Sequence, residues 1–193
     1  MSIIVGLTGP TGAGKSSASA ICKSLGIKHI DCDIIARKAT EKGEKGLLAV
    51  VNAFGEDILN TDGTLNRKAL AEKAFKDSDS TELLNKTLLP IIHEMVLSEI
   101  NCDKVLLDAP TLFESGVDKI CHKTVAVLSD KEIRLKRILA RDNITKEQAL
   151  LRINAGKPDD FYKEKCDYVI YNNDDEHTFN NSFLNLLKEI FDL

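Results

Sequence analysis

IIVGLTGPTGAGKSSASAICKSLG, from Ile3 to Gly26, is the stretch that decides the fold. It opens as a continuously apolar, β-branched run, Ile3–Thr8, which reads as a short buried strand. Glycines break the run, and from Ser16 to Leu25 the pattern turns helical, with small residues at Ala18 and Ala20 and Gly26 as its stop. Between them lies Gly9-Pro10-Thr11-Gly12-Ala13-Gly14-Lys15-Ser16, which satisfies G-x-x-x-x-G-K-[ST] with a strand before it and a helix after it. Such a loop curls until successive N–H groups, here from Gly12 through Ala13, Gly14, Lys15 and Ser16 to Ser17, converge on phosphate oxygens. The helix N-terminus adds its dipole there. Lys15 is then placed to reach the β- and γ-phosphates of a nucleoside triphosphate such as ATP, and the Ser16 hydroxyl to coordinate Mg²⁺.

Working outward, Ile27–Asp31 reads as a second strand, so the first thirty residues form a βαβ unit with a right-handed crossover expected. Lys104–Asp108, Thr124–Leu128 and Tyr168–Tyr171 are three further short apolar strands. Between the second and third the character changes: KGLLAVVNAF, NRKALAEKAF and ELLNKTLLPIIHEMVLSEI carry helical patterns, separated by the turn NTDGT. Ser129, with Glu132 three residues on, reads as the capping box of a helix running through RLKRILARD. Phe179, Phe183, Leu187 and Ile190 fall at helical spacing in a last segment that should pack back on the sheet. The alternation implies an α/β fold: a doubly wound, mainly parallel five-stranded sheet of the P-loop NTPase type. Residues 1–33 and 104–193 form its core, with a helical insertion over 34–103. Ligands should sit at the C-terminal ends of the strands.

The chain has 193 residues, enough for a sizeable core, and its 43% hydrophobic and 29% charged content is that of a soluble globular protein. A net charge of −4 argues against a general nucleic-acid binder. No apolar run approaches the roughly 20 residues needed to span a bilayer. The N-terminus lacks a basic segment followed by a cleavable apolar one, so a cytoplasmic protein is expected. The five cysteines are scattered, with no CxxC and no zinc spacing, and read as reduced structural thiols. Nothing in the sequence points to an obligate protein partner.

Among nucleotide-binding classes, a GTPase would carry an N-K-x-D motif. The nearest string, Asn85-Lys86-Thr87, lacks the aspartate and lies in a helical pattern. A small-molecule kinase therefore leads. A nucleoside or nucleotide kinase and a nucleotide-sensing binding protein stand behind it. HIDCDIIAR places Asp31 and Asp33 two apart, on one side while the chain stays extended. Either they supply a general base for an acceptor hydroxyl or both cap the following helix. Asp108, ending the third strand, is a turn or capping residue, or reaches Mg²⁺ through water. Arg134, Lys136, Arg137 and Arg141 lie on a helix whose apolar positions are Ile133, Leu135, Ile138 and Leu139. Cations on such a polar face are commonly just solvated. Arg137 and Arg141, four apart, can instead clamp transferring phosphates.

The blocks GLTGPTGAGKSS, HIDCDIIAR, FGEDILNTDGTLNRKAL, LLDAPTLFESG, RLKRILARDNIT and CDYVIYNN, in this order, make the chain resemble the dephospho-CoA kinase family over nearly its whole length. DGTLNRKAL and PTLFES are the most specific of them. The resemblance implies ATP and dephospho-CoA as small-molecule substrates, Mg²⁺ as cofactor, and phosphorylation of the ribose 3′-hydroxyl to give CoA. It implies Asp33 as the catalytic carboxylate with Thr8 beside it, and the helical insertion as the CoA-binding part, with Arg67 among its polar residues. Pro110, Leu112 and Phe113 line the acceptor side. Arg137 and Arg141 belong to the lid region that closes over ATP, the lid itself spanning about 141–165, and Asn172 follows the last strand near the adenine. Three positions depart from the family's pattern: Leu89-Pro90 where His-Pro is usual, Gly156 where a glutamine is usual, and Thr111 where a leucine is usual.

Overall fold

Ile3–Thr8 forms β1, the central strand of a five-stranded sheet in the computed structural model, which describes residues 2–193 apart from the side chain of Ser19. The others are β2 (Lys28–Asp31), β3 (Lys104–Asp108), β4 (Lys123–Leu128) and β5 (Tyr168–Tyr171), in the order β2-β3-β1-β4-β5. β1 runs parallel to β3, with Leu7 opposite Asp108, and parallel to β4, with Thr8 opposite Ala126. β4 and β5 are parallel as well. This is the doubly wound α/β sheet expected from the sequence. A strand covered by helices on both faces has no polar side, which is why β1 reads as an unbroken apolar run and buries Val5 and Leu7 completely.

On one face, α1 (Ser17–Ser24) and α9 (Glu176–Phe191) close a core of Val5, Leu7, Ile21, Cys22, Phe179 and Phe183. Phe179, Phe183 and Leu187 are buried as expected, but the fourth rung is Phe191; Ile190 packs only at the margin. α6 (Lys131–Asp142) also departs from expectation. Asp130, not Ser129, occupies its N-cap, its side chain making no cap bond and accepting instead from Asn173 Nδ2 at 2.9 Å. The Ser129 hydroxyl is buried and donates to the Asn172 carbonyl at 2.9 Å, joining the end of β4 to the chain leaving β5. The capping box lies one helix later. Thr145 accepts from the Gln148 N–H while Gln148 accepts from the Thr145 N–H, starting α7 (Lys146–Ala155). A further helix, α8 (Asp159–Lys165), completes the polar stretch ahead of β5.

The start of β4 is fixed by Asp167. One of its carboxylate oxygens accepts from the Thr124 N–H at 2.7 Å and the Thr124 hydroxyl at 2.8 Å, and the Asp167 N–H donates back to Thr124 Oγ1 at 3.0 Å. Partial burial acts to raise the Asp167 carboxyl. The two Thr124 bonds and the nearby Lys123 outweigh it and hold the group below its ordinary range. A carboxyl whose folded value is depressed stabilises the protein fully above its unfolded value. That contribution is lost as pH falls from about 4 through the lower folded value. Asp167→Ala should cost about 1–2 kcal/mol of unfolding free energy at neutral pH and flatten the acid limb of the stability profile. Urea titrations at neutral and acidic pH measure both.

The chain divides into two units: residues up to Ile30 with Cys102–Leu193, and Asp31–Asn101. The second is built from α2 (Cys32–Ala39), α3 (Lys45–Phe54), α4 (Arg67–Ala74) and α5 (Ser78–Glu99) around Leu47, Val50, Ile58, Leu70 and Ala74. Asn66 and Asp77 cap α4 and α5 by accepting from Ala69 and Ser80 N–H groups, as short polar residues before helices do. The five cysteines are free thiols, and no described helix is long and apolar enough to cross a membrane.

Candidate active site

The loop after β1 folds as its glycines require. Gly12 and Gly14 have φ of +81° and +97°, a region that side chains avoid. The packing is equally restrictive: a Cβ on Gly14 would lie 2.2 Å from Asn172 Nδ2, and one on Gly12 2.9 Å from the Arg134 carbonyl oxygen. Ala13 is buried between them. The Lys15 ammonium bridges the loop to the Gly9 carbonyl at 2.6 Å. Ser16 occupies the N-cap of α1 without giving its side chain to a cap bond, and Ser17 opens the helix. Motif residues from Gly12 to Ser17 are thus brought to one strand-to-helix turn at the C-terminal end of the central strand.

The loop is held from behind by side chains far away in sequence. Asn172, buried just past β5, donates from Nδ2 to the Ala13 carbonyl at 2.9 Å and accepts on Oδ1 from Arg137 Nη2 at 3.0 Å. Expected beside the adenine, its amide is engaged at both ends in supporting the phosphate loop. Arg137 Nη1 reaches the Ala13 carbonyl and the Ser129 hydroxyl, each at 3.2 Å, so one guanidinium ties the loop to the ends of β4 and β5.

One neighbouring arginine differs from expectation. Arg134 is not a solvated cation: it is 5% exposed and its Nε donates to the Thr11 carbonyl at 3.0 Å. Its Nη1 stands 3.7 Å from Asp159 at the start of α8. Desolvation presses its pKa down, while the Asp159 charge acts to raise it. Arg141 is forked onto its neighbour Asp142 at 2.6 and 2.9 Å, and those hydrogen bonds raise its pKa. Arg152 holds the same carboxylate. Positions 134, 137 and 141 follow i, i+3, i+7 spacing, one stripe of a helix. That signal could have marked Arg134 as a loop contact.

At the end of β3, Thr8 and the segment after Asp108 come together. The buried Thr8 hydroxyl donates to the Pro110 carbonyl at 3.2 Å. Pro110 is exposed and Phe113 half-buried, its ring edge-to-face with Phe161 of α8 at 5.8 Å and beneath Lys165. Leu112, expected on the acceptor surface, is fully buried next to Gly6 and serves as core under that surface. Asp108 places Oδ2 3.7 Å from His29 Nε2, while its Oδ1 is buried with no hydrogen-bond partner. Burial, with the Asp108 charge adding, pushes the nearby Cys22 thiol up to about 12, so it stays protonated.

In the helical unit, the chain does not stay extended through Asp33. Asp31 ends β2 and caps α2, one oxygen accepting from the Asp33 and Ile34 N–H groups at 2.9 and 3.1 Å. The two carboxylates therefore have separate tasks. Asp31 is the cap, and Asp33, exposed on the first turn, lines a cavity of about 380 Å³ together with Arg37 and Arg67.

The chain is similar to proteins of known family. The family profile described as dephospho-CoA kinase matches residues 3–177. A dephospho-CoA kinase of Listeria innocua is 41% identical over 176 residues, covering 88% of both chains. One from Oryza sativa is 37% identical over 175 residues, 88% of this chain and 76% of the relative. The structure of dephospho-CoA kinase from Campylobacter jejuni superposes with a TM-score of 0.71 at 26% identity, covering 100% of this chain and 98% of the other. The shikimate kinase of Acinetobacter baumannii, at 17% identity and a TM-score of 0.57 over 100% of this chain and 94% of that one, shares the fold alone.

Proposed function

Because the chain belongs to the dephospho-CoA kinase family, we propose that it transfers the γ-phosphoryl group of ATP to the ribose 3′-hydroxyl of dephospho-CoA, giving CoA and ADP. The observation that carries this reading is the family match over residues 3–177, joined to a formed phosphate loop and a separate exposed carboxylate, Asp33. In the proposed mechanism the amides from Gly12 to Ser17 and the Lys15 ammonium hold the triphosphate. Asp33 accepts the proton of the 3′-hydroxyl as its oxygen attacks the γ-phosphorus, and the bond to the β-phosphate oxygen breaks to release ADP. This chemistry asks for positioning and charge neutralisation more than for covalent catalysis.

Magnesium bound with ATP would neutralise charge on the β- and γ-phosphate oxygens. The residues present fit it. The Ser16 hydroxyl makes no cap bond, and Asp108 carries a buried oxygen without a donor. Both are hard oxygen ligands that this cation takes directly or through water. Arg137 and Asn172 keep the loop in shape. Arg141 would join the phosphates by exchanging Asp142 for them as residues 141–165 close over ATP. Thr8, Arg67, Pro110 and Phe113 belong to the acceptor side in this reading. The substrates are small molecules, and neither nucleic acid, nor membrane, nor a protein partner is required.

Incubating the protein with MgATP and dephospho-CoA should yield CoA, with AMP, GMP and adenosine phosphorylated far more slowly when ADP release is compared side by side. No CoA at high enzyme concentration, or faster turnover of a simple nucleotide, would refute the assignment.

A further inference from the structure

Two peptide units of the phosphate loop are held by their carbonyls from outside the loop. The Thr11 carbonyl accepts from Arg134 Nε at 3.0 Å, and the Ala13 carbonyl accepts from Asn172 Nδ2 at 2.9 Å and Arg137 Nη1 at 3.2 Å. In a planar trans peptide the N–H of the next residue points opposite to the carbonyl. Each grip therefore turns an amide the other way: the Gly12 N–H away from α6, and the Gly14 N–H away from Asn172. The glycines make such grips necessary. Gly12 and Gly14 sit at φ of +81° and +97°, and a residue without a Cβ takes positive and negative φ about equally well. The freedom that lets the loop curl also lets either peptide turn over, which would present a carbonyl oxygen where an amide is needed. Arg134 is committed to its grip. It is 5% exposed, its Nη2 is buried with no hydrogen-bond partner among the described residues, and its Nη1 stands 3.7 Å from Asp159, beyond hydrogen-bond reach. Burying a guanidinium costs far more than leaving it in water. The short bond that Arg134 makes in return ends on the loop.

Resting on the nucleotide reading above, we infer that Arg134 is a positioning residue for ATP: through Nε it locks the Thr11–Gly12 peptide with the Gly12 amide facing the phosphates, and it does not touch the nucleotide itself. The triphosphate then meets a donor already aimed, and no peptide has to turn when it arrives. Without the lock the loop divides between the two peptide orientations, and the apparent affinity falls with the fraction that remains competent. The donor carries this role and the charge does not, since the charge lies on the far side of Nε, toward Asp159. Side-chain chemistry separates the two. Glutamine carries its amide nitrogen at the same point along the chain as arginine carries Nε, without a charge. Methionine has a methyl group there. Lysine has a methylene there and its ammonium one atom beyond.

Calorimetric titration of the intact protein with adenylyl imidodiphosphate and Mg²⁺, a non-hydrolysable stand-in for ATP, tests this, with a melting temperature taken for each variant. Arg134→Gln should bind within about threefold of wild type, and Arg134→Met about 5- to 30-fold more weakly, the effect of one aimed donor to a charged group. Arg134→Lys should fall with Arg134→Met, and it supplies the comparison with Arg134→Gln should the methionine variant prove unstable. In steady-state kinetics KM for ATP should follow the same order, while KM for dephospho-CoA stays within about twofold of wild type. A purely structural arginine would lower the melting temperature of Arg134→Met and leave nucleotide affinity alone; that result would overturn the inference. So would wild-type affinity in Arg134→Lys with a loss in Arg134→Gln, because the charge and not the donor would then be at work. A wild-type protein whose variants bind in the expected order but which makes no CoA would refute the kinase reading and leave the lock standing. CoA synthesis by the wild type with equal analogue affinity in every variant would do the reverse.

Discussion

Asp33→Asn is expected to lower kcat for CoA formation by about 10²- to 10⁴-fold, the usual contribution of a positioned general base. Asparagine is close in size and keeps a hydrogen-bonding oxygen, so it can still orient the 3′-hydroxyl. It cannot take the proton in the transition state. The cap of α2 is undisturbed, because the bonds that start that helix go to Asp31 and involve only the backbone N–H of Asp33. Folding and ATP affinity should therefore stay near wild type while turnover collapses, as for an interaction made chiefly in the transition state. Steady-state kinetics with ATP and dephospho-CoA varied in turn separates the two effects. Turnover within tenfold of wild type would remove Asp33 from the role of base.

Lys15→Ala should lower kcat/KM for ATP by about 10²- to 10³-fold, comparable to removing one preorganised donor from a developing charge. Its ammonium lies in the loop itself, donating to the Gly9 carbonyl at 2.6 Å. Unlike Asp33→Asn, this change should weaken ATP binding as well as turnover, because the ammonium meets phosphate charge in both the ground and transition states. Lys15→Arg should not restore activity, since a planar fork cannot replace a compact point charge in a loop this tight. ATP titrations paired with single-turnover measurements of CoA formation give the two components. Normal ATP affinity in Lys15→Ala would contradict this account of the loop.

Local patterns carried the elements. β1 and β3 were legible from short apolar runs ended by glycine or an acidic residue, and the loop from eight consecutive residues. Strand burial and glycine geometry act over a few positions, and sequence displays such signals directly. The errors came where two local signals competed. Ser129 and Thr145 both open a capping-box pattern, and only Thr145 caps, because the Ser129 hydroxyl is drawn to Asn172. Asp31 and Asp33 looked alike as a pair on an extended strand. The start of α2 at Cys32 made one a cap and left the other exposed.

The sequence by itself determined the parallel α/β fold, the phosphate loop and, through its resemblance, the kinase family. Tertiary structure alone decided what surrounds the loop. Arg134 meets Thr11 across 123 residues, and Asn172 meets Ala13 across 159. The arginine stripe of α6 marks a cationic face without naming its partners, and a lone asparagine after a strand carries no pattern at all. Their roles follow from desolvation. Once the sheet order brings α6 and the end of β5 against the loop, buried polar groups must find partners, and the loop's own carbonyls supply them.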